Sequence, residues 1–191
     1  MYGKRIGLGA WLACLTFVTA SPALGQAQDD FARNGAYLGL AGSVGIFPEA
    51  EDDLDDVGGD VDTGLGLNAR AGYRVHPHFA AEAEFEWVHS SIEFAGADVD
   101  FDTFVGTVNG KGFLLTGRFQ PFAMIGIGGL GVDGEGDSGG DEGFAARFGG
   151  GIDIYITRNF YGALDASYVL PTGDVDDFDL VSIGWGFGYR F

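Results

Sequence analysis

The sequence predicts an all-β fold, an eight-stranded antiparallel up-and-down transmembrane β-barrel. Three observations indicate this fold. Apolar residues alternate with polar or small residues along several runs of roughly ten residues, the pattern of strands whose two faces meet different surroundings. The acidic residues are concentrated in every second connection between these runs. An export signal precedes the runs, and no later stretch is apolar over the ~20 residues that a transmembrane helix needs.

The chain begins with the features of a cleaved signal peptide. A short positive n-region is followed by the uncharged, largely apolar run 6–20, and small residues then provide a cleavage site that we place after Gly25. The only cysteine, Cys14, lies inside that run, so the exported chain would have neither a disulfide nor a thiolate metal site. The predicted division is a signal peptide over residues 1–25, a short periplasmic segment over 26–34 and the barrel domain over 35–191.

Runs of strand type fill the barrel domain. Leu65 to Val75 alternates apolar residues with asparagine, arginine and glycine, and Phe79 to Trp87 alternates them with three glutamates. His76-Pro77-His78 separates these two runs as a tight turn. We predict strands at residues 36–46, 65–75, 79–87, 104–115, 122–132, 146–156, 164–168 and 181–191. The fourth and fifth of these are apolar and rich in glycine throughout, so the sequence does not assign their faces.

The charged residues are sorted between two kinds of connection. Of the 28 Asp and Glu residues, 21 fall in residues 47–62, 90–102, 133–142 and 171–179, and none of these four segments contains Lys or Arg. The other connections are short and carry His76, His78, Arg118 and Arg158. Long connections at one end and short turns at the other are the plan of membrane β-barrels, and an even strand number puts both termini at the short-turn end. A β-sandwich gives no reason for such sorting.

Three segments of the chain resemble a known family. They are GAYLGL at residues 35–40, RFQPF followed by GIGG within residues 118–129, and WGFGYRF at residues 185–191. In these segments the chain is similar to the small outer-membrane β-barrel family, which includes OmpA-type and OmpX-type barrels and porin-like outer-membrane surface proteins. The resemblance spans residues 35–191. It implies a location in the outer membrane of a Gram-negative bacterium, with membrane lipid and lipopolysaccharide as neighbours.

The final predicted strand carries four aromatic residues on one face. They are Trp185, Phe187, Tyr189 and Phe191. Their spacing resembles the C-terminal signal that the barrel assembly machinery reads during biogenesis in this family. A row of rings on one strand face can also lie at the lipid interface as part of an aromatic girdle. The alternative is an ordinary amphipathic edge strand.

The opposite faces of the predicted strands carry balanced charges. The cations are Arg70, Arg74, Lys111, Arg147 and Arg190, and the acids are Glu82, Glu84, Glu86, Asp153 and Asp165. An eight-stranded barrel is just wide enough for its interior to fill with side chains. Because unpaired buried charge is costly, we predict a lumen plugged by ion pairs, with Arg70 and Arg74 next to the glutamate row. The alternative is a small channel for ions or small solutes.

Two motif-like segments do not predict binding sites. Residues 126–131 fit G-x-G-x-x-G, but a dinucleotide site needs a following helix to hold the phosphates, and acidic residues follow instead. Residues 133–137 resemble the start of a calcium loop, but Ser138 and Phe144 occupy the positions that need glycine and glutamate. The sequence therefore predicts no cofactor, no specific metal site and no nucleic-acid partner. Weak divalent cation binding by the acidic connections and a merely solvated acidic surface both stay open.

One pair of residues resembles the catalytic pair of an enzymatic barrel. His89 and Ser91 have the spacing found in lipid A deacylases, where the histidine activates the serine, and Glu86 or Glu93 could orient the histidine. However, both residues share the outward face of Trp87, and no asparagine follows the serine. We therefore predict no catalytic residue. The favoured function is structural or surface interaction through the acidic connections, and a small channel and a lipid A-modifying enzyme are the alternatives.

Overall fold

The computed structural model is a closed β-barrel with one short additional strand at its rim. It describes residues 31–48, 60–61, 63–94, 97–134, 141–173, 175 and 179–191, so the predicted signal peptide lies outside the described residues. The strands are β1 (Gly35–Ile46), β2 (Asp60–Val61), β3 (Gly64–His76), β4 (Phe79–Phe94), β5 (Ala97–Phe113), β6 (Phe119–Gly134), β7 (Asp141–Tyr155), β8 (Phe160–Gly173) and β9 (Leu180–Arg190). Within these described ranges, no helix is long and apolar enough to cross a membrane.

Each barrel strand is antiparallel to both of its neighbours. The ring closes because β1 pairs with β9 from Tyr37↔Arg190 to Ile46↔Val181, while β4 pairs with β5 on the other side. The two-residue β2 only pairs with the far end of β4. Because both termini lie where the turns are short, we call that end the periplasmic end and the opposite end the outer end. The predicted fold class, an eight-stranded up-and-down barrel, is confirmed.

Several strands extend further than the sequence pattern indicates. β4, β5 and β6 have 16, 17 and 16 residues, whereas a tilted strand needs only ~9–11 residues to cross a membrane. The sequence predicts a connection over residues 90–102, but the structure has a hairpin there that is paired out to Phe94↔Ala97. Valine, isoleucine and phenylalanine recur through this segment and favour strand. Pairing also satisfies backbone groups that a loop would leave to water.

Side chains alternate between the lipid face and the lumen along the barrel strands. Leu40, Val108 and Ile127 project outward and are 72%, 64% and 60% exposed. Asn109 and Met124 project inward and are buried. This assigns the faces of β5 and β6, which the sequence leaves open: the odd-numbered residues of β5 from Phe101 to Phe113 and the even-numbered residues of β6 face the lumen.

The lumen is filled in three layers. An apolar cluster occupies the outer end and consists of Phe47, Val88, Phe101, Val105, Leu130, Ala145, Val169, Val175 and Leu180. Charged side chains fill the middle. A largely aromatic cluster lies towards the periplasmic end and consists of Tyr37, Ala80, Phe113, Phe122, Met124, Tyr155 and Tyr161. The sequence predicts only the charged layer, because the inward residues near the outer ends of β4, β5, β6 and β8 are apolar like their outward neighbours.

Inward-facing glycines make room for two tyrosine rings of the aromatic layer. Tyr37 of β1 pairs with Gly72 of β3, and its ring lies directly over this glycine. Tyr161 of β8 lies in the same way over Gly188 of β9. A Cβ at either glycine would overlap the ring, so close packing of this layer requires the absence of a side chain at both positions.

We expect Gly72→Val to destabilise the barrel by about 1–3 kcal/mol, because the added side chain displaces Tyr37 from a packed layer. The measurement is urea-induced unfolding of the variant after refolding in lipid vesicles. Gly106→Val is the matched control, since Gly106 also lies within a strand but nothing lies within 4 Å of a Cβ built there. Equal losses of stability for the two variants would show that packing of the Tyr37 ring does not need the space over Gly72.

Candidate functional site

The central layer of the lumen contains a bidentate ion pair that crosses the barrel. Arg70, on β3, donates from Nη1 to Asp165 Oδ2 and from Nη2 to Asp165 Oδ1, both at 2.8 Å. Asp165 lies on β8, and the Arg70 Nε also lies 3.4 Å from Glu84 Oε1. All three side chains are buried. Parallel hydrogen bonds between a guanidinium and a carboxylate combine charge attraction with a fixed geometry, so this pair ties opposite walls of the barrel together.

Arg147 joins two glutamates in the same layer. Its Nη1 lies 2.5 Å from Glu84 Oε1, and its Nη2 donates to Glu86 Oε2. Ser182 Oγ donates to the other oxygen of Glu86 at 2.5 Å. The side chains of Arg147, Glu84 and Glu86 are at most 1% exposed. Each of these charges therefore depends on its protein partners and not on water.

Two asparagines complete the hydrogen bonding of Glu84. Asn68 Nδ2 donates to Oε1 and Asn109 Nδ2 donates to Oε2, both at 2.6 Å. Asn68 Oδ1 in turn accepts a hydrogen bond from Arg70 Nε at 2.8 Å. Neither asparagine is among the site residues predicted from the sequence. The alternation along β3 that predicts Arg70 to face inward also predicts this for Asn68. Asn109 lies on a strand whose faces the sequence does not assign.

Lys111 and Asp153 lie between the ion-pair layer and the aromatic layer. Lys111 Nζ lies 3.4 Å from Glu82 Oε2. Asp153 is buried and lines a cavity of about 10 Å³ together with Arg70, Lys111 and Tyr161. A cavity of that size has room for about one water-sized probe. The described side chains thus leave little space at this level.

Arg74 contacts carbonyl oxygens and an aromatic ring at the periplasmic end. It donates to the side-chain oxygen of Gln120 and to the backbone carbonyl of Pro77. Its guanidinium also lies 3.9 Å from the centre of the Phe113 ring. The sequence places Arg74 next to the glutamate row of β4, but the register pairs Arg74 with Ala80, which lies closer to the periplasmic turn than the glutamates do. The Pro77 carbonyl and the Gln120 side chain therefore take the place of the expected carboxylate.

The segment that precedes β1 lies at the periplasmic mouth of the lumen. Arg190 donates from Nη1 to the backbone carbonyl of Arg33 at 3.1 Å and from Nη2 to that of Phe31. Gln120 Nε2 donates to the same Phe31 carbonyl at 2.8 Å. Ala32 is buried. These residues belong to the predicted periplasmic segment 26–34, whose sequence has no alternating pattern and so does not indicate this position.

Two residues from the long connections lie at the outer mouth. Phe47 follows β1, Val175 lies between β8 and β9, and both are buried in the apolar cluster with Phe101 and Leu180. The rings of Phe47 and Phe101 meet edge to face, with their centroids 5.4 Å apart. The sequence assigns both connections to the acidic outer surface, and among their described residues the structure places the apolar Phe47 and Val175 inside the barrel.

An outward-facing polar group at the outer end includes His89. His89 Nδ1 lies 2.9 Å from Asp102 Oδ1, and Trp87 Nε1 donates to the same oxygen at 3.1 Å. Asp102 reaches His89 because the register of β4 and β5 pairs these two residues. The suggestion that Glu86 orients His89 is wrong. Even-numbered and odd-numbered residues of a strand face opposite sides of the sheet, and Glu86 is buried in the lumen while His89 faces outward. The side chain of Glu93 lies outside the described residues.

The predicted assembly signal forms an outward row at the end of the chain. Trp185, Phe187, Tyr189 and Phe191 all project from the lipid face. Phe187 stacks on Phe160 of β8 with centroids 5.5 Å apart. Such a row can lie against lipid as an aromatic girdle, and its recognition by the barrel assembly machinery stays a prediction.

Comparisons with known proteins agree with this architecture. A family model described as outer membrane protein beta-barrel domain matches residues 10–191. Neisserial surface protein A is a similar solved structure, with 11% identity and a TM-score of 0.62 over 82% of this chain and 99% of that chain. OprG from Pseudomonas aeruginosa has 15% identity and a TM-score of 0.60 over 85% of this chain and 99% of that chain. Ail, the attachment invasion locus protein of Yersinia pestis, has 22% identity and a TM-score of 0.51 over 83% of this chain and 97% of that chain. At these identities the likeness shows the fold alone. A comparison with curated proteins finds no match.

Proposed function

The chain belongs to the outer membrane protein β-barrel family and lies in the Gram-negative outer membrane, and from this premise we propose that it is a closed anchor for acidic surface segments. By a closed anchor we mean a barrel that holds the chain in the membrane without conducting solutes. The proposal is supported by the side chains that lie inside the described part of the barrel. Apolar side chains lie at the outer mouth, Arg70 and Asp165 pair in the middle, and Arg190 binds the segment before β1 at the periplasmic mouth.

The alternative function, a small channel, needs a continuous polar path. The charges of the middle layer are engaged with one another: Arg70 with Asp165, and Arg147 with Glu84 and Glu86. Releasing them to bind a passing ion would leave a buried partner uncompensated, at a cost of about 3–5 kcal/mol. The apolar cluster offers no ligand to an ion at the outer mouth. These contacts favour the anchor over the channel.

The acidic outer segments are the surface that the anchor presents. Among the described residues, Asp100, Asp133, Asp141 and Glu142 are exposed at the outer end. Carboxylates close to one another lower their mutual repulsion by binding hard divalent cations. Within the described part of the chain, no group of three or more His, Cys, Asp and Glu side chains is arranged to hold a metal ion. We therefore propose weak, non-specific binding, with cations shared between the barrel and lipopolysaccharide phosphates.

This charge argues against one kind of ligand. Ail of Yersinia pestis has been crystallised in complex with the heparin analogue sucrose octasulfate, which is a polyanion. The four acidic segments of this chain contain no Lys or Arg, so they would repel a sulfated ligand in the absence of divalent cations. We therefore propose that the surface interactions of this barrel depend on divalent cations.

We propose no catalytic role, although one observation favours the enzymatic alternative. Asp102 is hydrogen-bonded to His89, as the orienting acid of a serine nucleophile would be. Against it, the Asp102 oxygen that meets His89 also accepts from Trp87, and the group lies outside the barrel on the lipid side of the rim. This arrangement is equally well explained as an interfacial cluster in which the tryptophan is fixed.

Calcium binding to the refolded barrel tests the proposed function. In neutral phosphatidylcholine vesicles, equilibrium dialysis should give weak binding with dissociation constants of about 10⁻⁴–10⁻³ M. The combined variant Asp133→Asn, Asp141→Asn and Glu142→Gln should bind calcium several times more weakly. It should also attach more weakly to vesicles that contain lipopolysaccharide in the presence of calcium, because three of the 21 acidic residues of the outer segments are neutralised.

Arg118→Gln is the control for this test, because it changes the charge at the periplasmic end without touching the acidic segments. It should bind calcium as the wild type does. Calcium binding and vesicle attachment that are unchanged when Asp133, Asp141 and Glu142 are neutralised would contradict the proposal.

A further inference from the structure

A groove runs along the lipid-facing side of β1 and β3. Leu40 and Gly42 of β1 and Leu67 and Ala69 of β3 form its floor, and its volume is about 700 Å³. Binding pockets for small molecules commonly measure ~300–1,000 Å³. The groove is thus large enough for a molecule, and it is separate from the lumen and from the acidic outer segments.

Aromatic residues form both walls of this groove. Trp185 and Phe187 of β9 form one wall, and Phe85 and Trp87 of β4 with Phe104 of β5 form the other. Phe187 stacks on a phenylalanine of β8, and Phe85 lies nearly parallel to Phe104 with centroids 6.4 Å apart. Each wall is therefore supported by ring packing, so the groove does not depend on a ligand to stay open.

A hydrogen bond fixes the outer end of the groove. The Trp87 indole donates from Nε1 to Asp102 Oδ1 at 3.1 Å, and the same oxygen lies 2.9 Å from His89 Nδ1. A site whose walls are fixed before binding loses less conformational freedom when it is occupied. Tryptophan indoles that bridge apolar and polar surroundings are typical of the membrane interface. This places the groove below the interface and the His89–Asp102 pair at the level of the lipid head groups.

The width of the groove fits a hydrocarbon chain. β9 and β4 are separated by β1 and β3, and neighbouring strands lie ~4.8 Å apart, so the wall backbones are about 14 Å from each other. The Trp185 ring lies over Gly42, 3.7 Å from a Cβ built there, and so narrows this space further. An α-helix with its side chains is ~10 Å across and would fit poorly. A second barrel would meet the two aromatic ridges and leave the floor uncovered. The face lies on membrane-spanning strands, so lipid chains surround it.

We propose that this groove binds one acyl chain of an outer-leaflet lipid, with the lipid head group at the level of His89 and Asp102. The chain packs against the aliphatic floor between Trp87 and Trp185. Aromatic residues on both sides of an aliphatic floor are the feature that suits this groove to one chain.

Tryptophan fluorescence reads the occupancy of the groove directly. Trp87 and Trp185 lie on opposite walls, and the third tryptophan of the chain, Trp11, belongs to the predicted signal peptide. The barrel without that peptide is refolded in detergent micelles and titrated with a phosphatidylcholine that carries bromine, a short-range quencher, on its acyl chains. We expect saturable quenching that reaches its plateau near one lipid per barrel.

Two variants fill the groove, and one matched variant does not. Ala69→Phe should remove the saturable phase and reduce quenching at one lipid per barrel by about threefold, leaving only the quenching that random contact in the micelle gives. Gly42→Leu fills the groove from β1, where a Cβ would meet the Trp185 ring at 3.7 Å without a clash, and serves if Ala69→Phe does not fold. Ala123→Phe adds the same ring to the lipid face of β6, outside the groove, and should titrate like the wild type.

Three results would overturn the assignment. One is quenching of the wild type that rises linearly with the brominated lipid, as random contact in the micelle would give. Another is identical titration of the wild type and of the groove-filling variants. The third is a dimer in sedimentation experiments that Ala69→Phe dissociates, which would make a second copy of the chain the occupant.

Discussion

Replacement of Arg147 by methionine should lower the free energy of unfolding by about 3–5 kcal/mol, because it leaves buried Glu86 without its cation and Glu84 with Arg70 alone. Arg147 contacts both Glu84 and Glu86, and all three side chains are almost completely buried. Ser182 and the two asparagines satisfy hydrogen bonds of these carboxylates but do not balance their charge. The measurement is urea unfolding of the barrel in phosphatidylcholine vesicles, followed by tryptophan emission.

Two further variants separate the lost charge from the lost volume. Adding Glu84→Gln and Glu86→Gln to Arg147→Met removes the uncompensated charges and should restore most of the stability. Arg118→Met removes an arginine from an exposed turn, where it lies 5.3 Å from the centre of the Phe31 ring, and should cost no more than about 1 kcal/mol. If Arg147→Met costs as little as Arg118→Met, the buried ion pairs do not hold the lumen together.

An arginine in place of Ile127 should destabilise the barrel by about 2–4 kcal/mol, because it puts a charge against the hydrocarbon near the membrane midplane. Ile127 lies near the middle of β6, opposite Val108 of β5, and projects outward. On a barrel surrounded by water, the same exposed position would tolerate the change within about 0.5 kcal/mol. Urea unfolding in vesicles therefore measures whether lipid surrounds this face.

Leu114→Arg is the matched control for Ile127→Arg. Leu114 is also exposed, but it follows β5 in a short periplasmic turn. The cost of a lipid-facing arginine falls to about 0–1 kcal/mol near the interface. Equal losses at the two positions would contradict a membrane placed around the middle of the strands.

The two-residue period is enough to assign faces where charged and apolar residues alternate. In β3 the structure has Arg70 and Arg74 inside and Leu67 and Tyr73 outside, since successive side chains of a strand point in opposite directions. In β5 and β6 the same rule holds, but inward positions such as Gly126 carry residues that do not differ clearly in hydropathy from their neighbours. The sequence therefore predicts these strands without predicting their faces.

The partner of each buried charge depends on how the barrel closes. Arg70 binds Asp165, which is 95 positions away in the chain, in addition to the nearby Glu84. Which strands face each other across the lumen is set by the tilt and stagger of all eight strands, and no local pattern encodes it. The sequence also does not predict the positions of Phe31 and Phe47 at the two mouths of the barrel, because both residues lie in segments without an alternating pattern.

Single-channel recording in planar bilayers tests most directly whether this barrel is a closed anchor. The apolar cluster around Phe47, the ion pairs of the middle layer and the segment around Phe31 lie along the described lumen and support the proposed closed anchor. We therefore expect refolded wild-type protein to insert without discrete conductance steps above those of a protein-free bilayer. Reproducible steps of uniform size from the wild-type barrel would contradict the closed lumen and favour a channel.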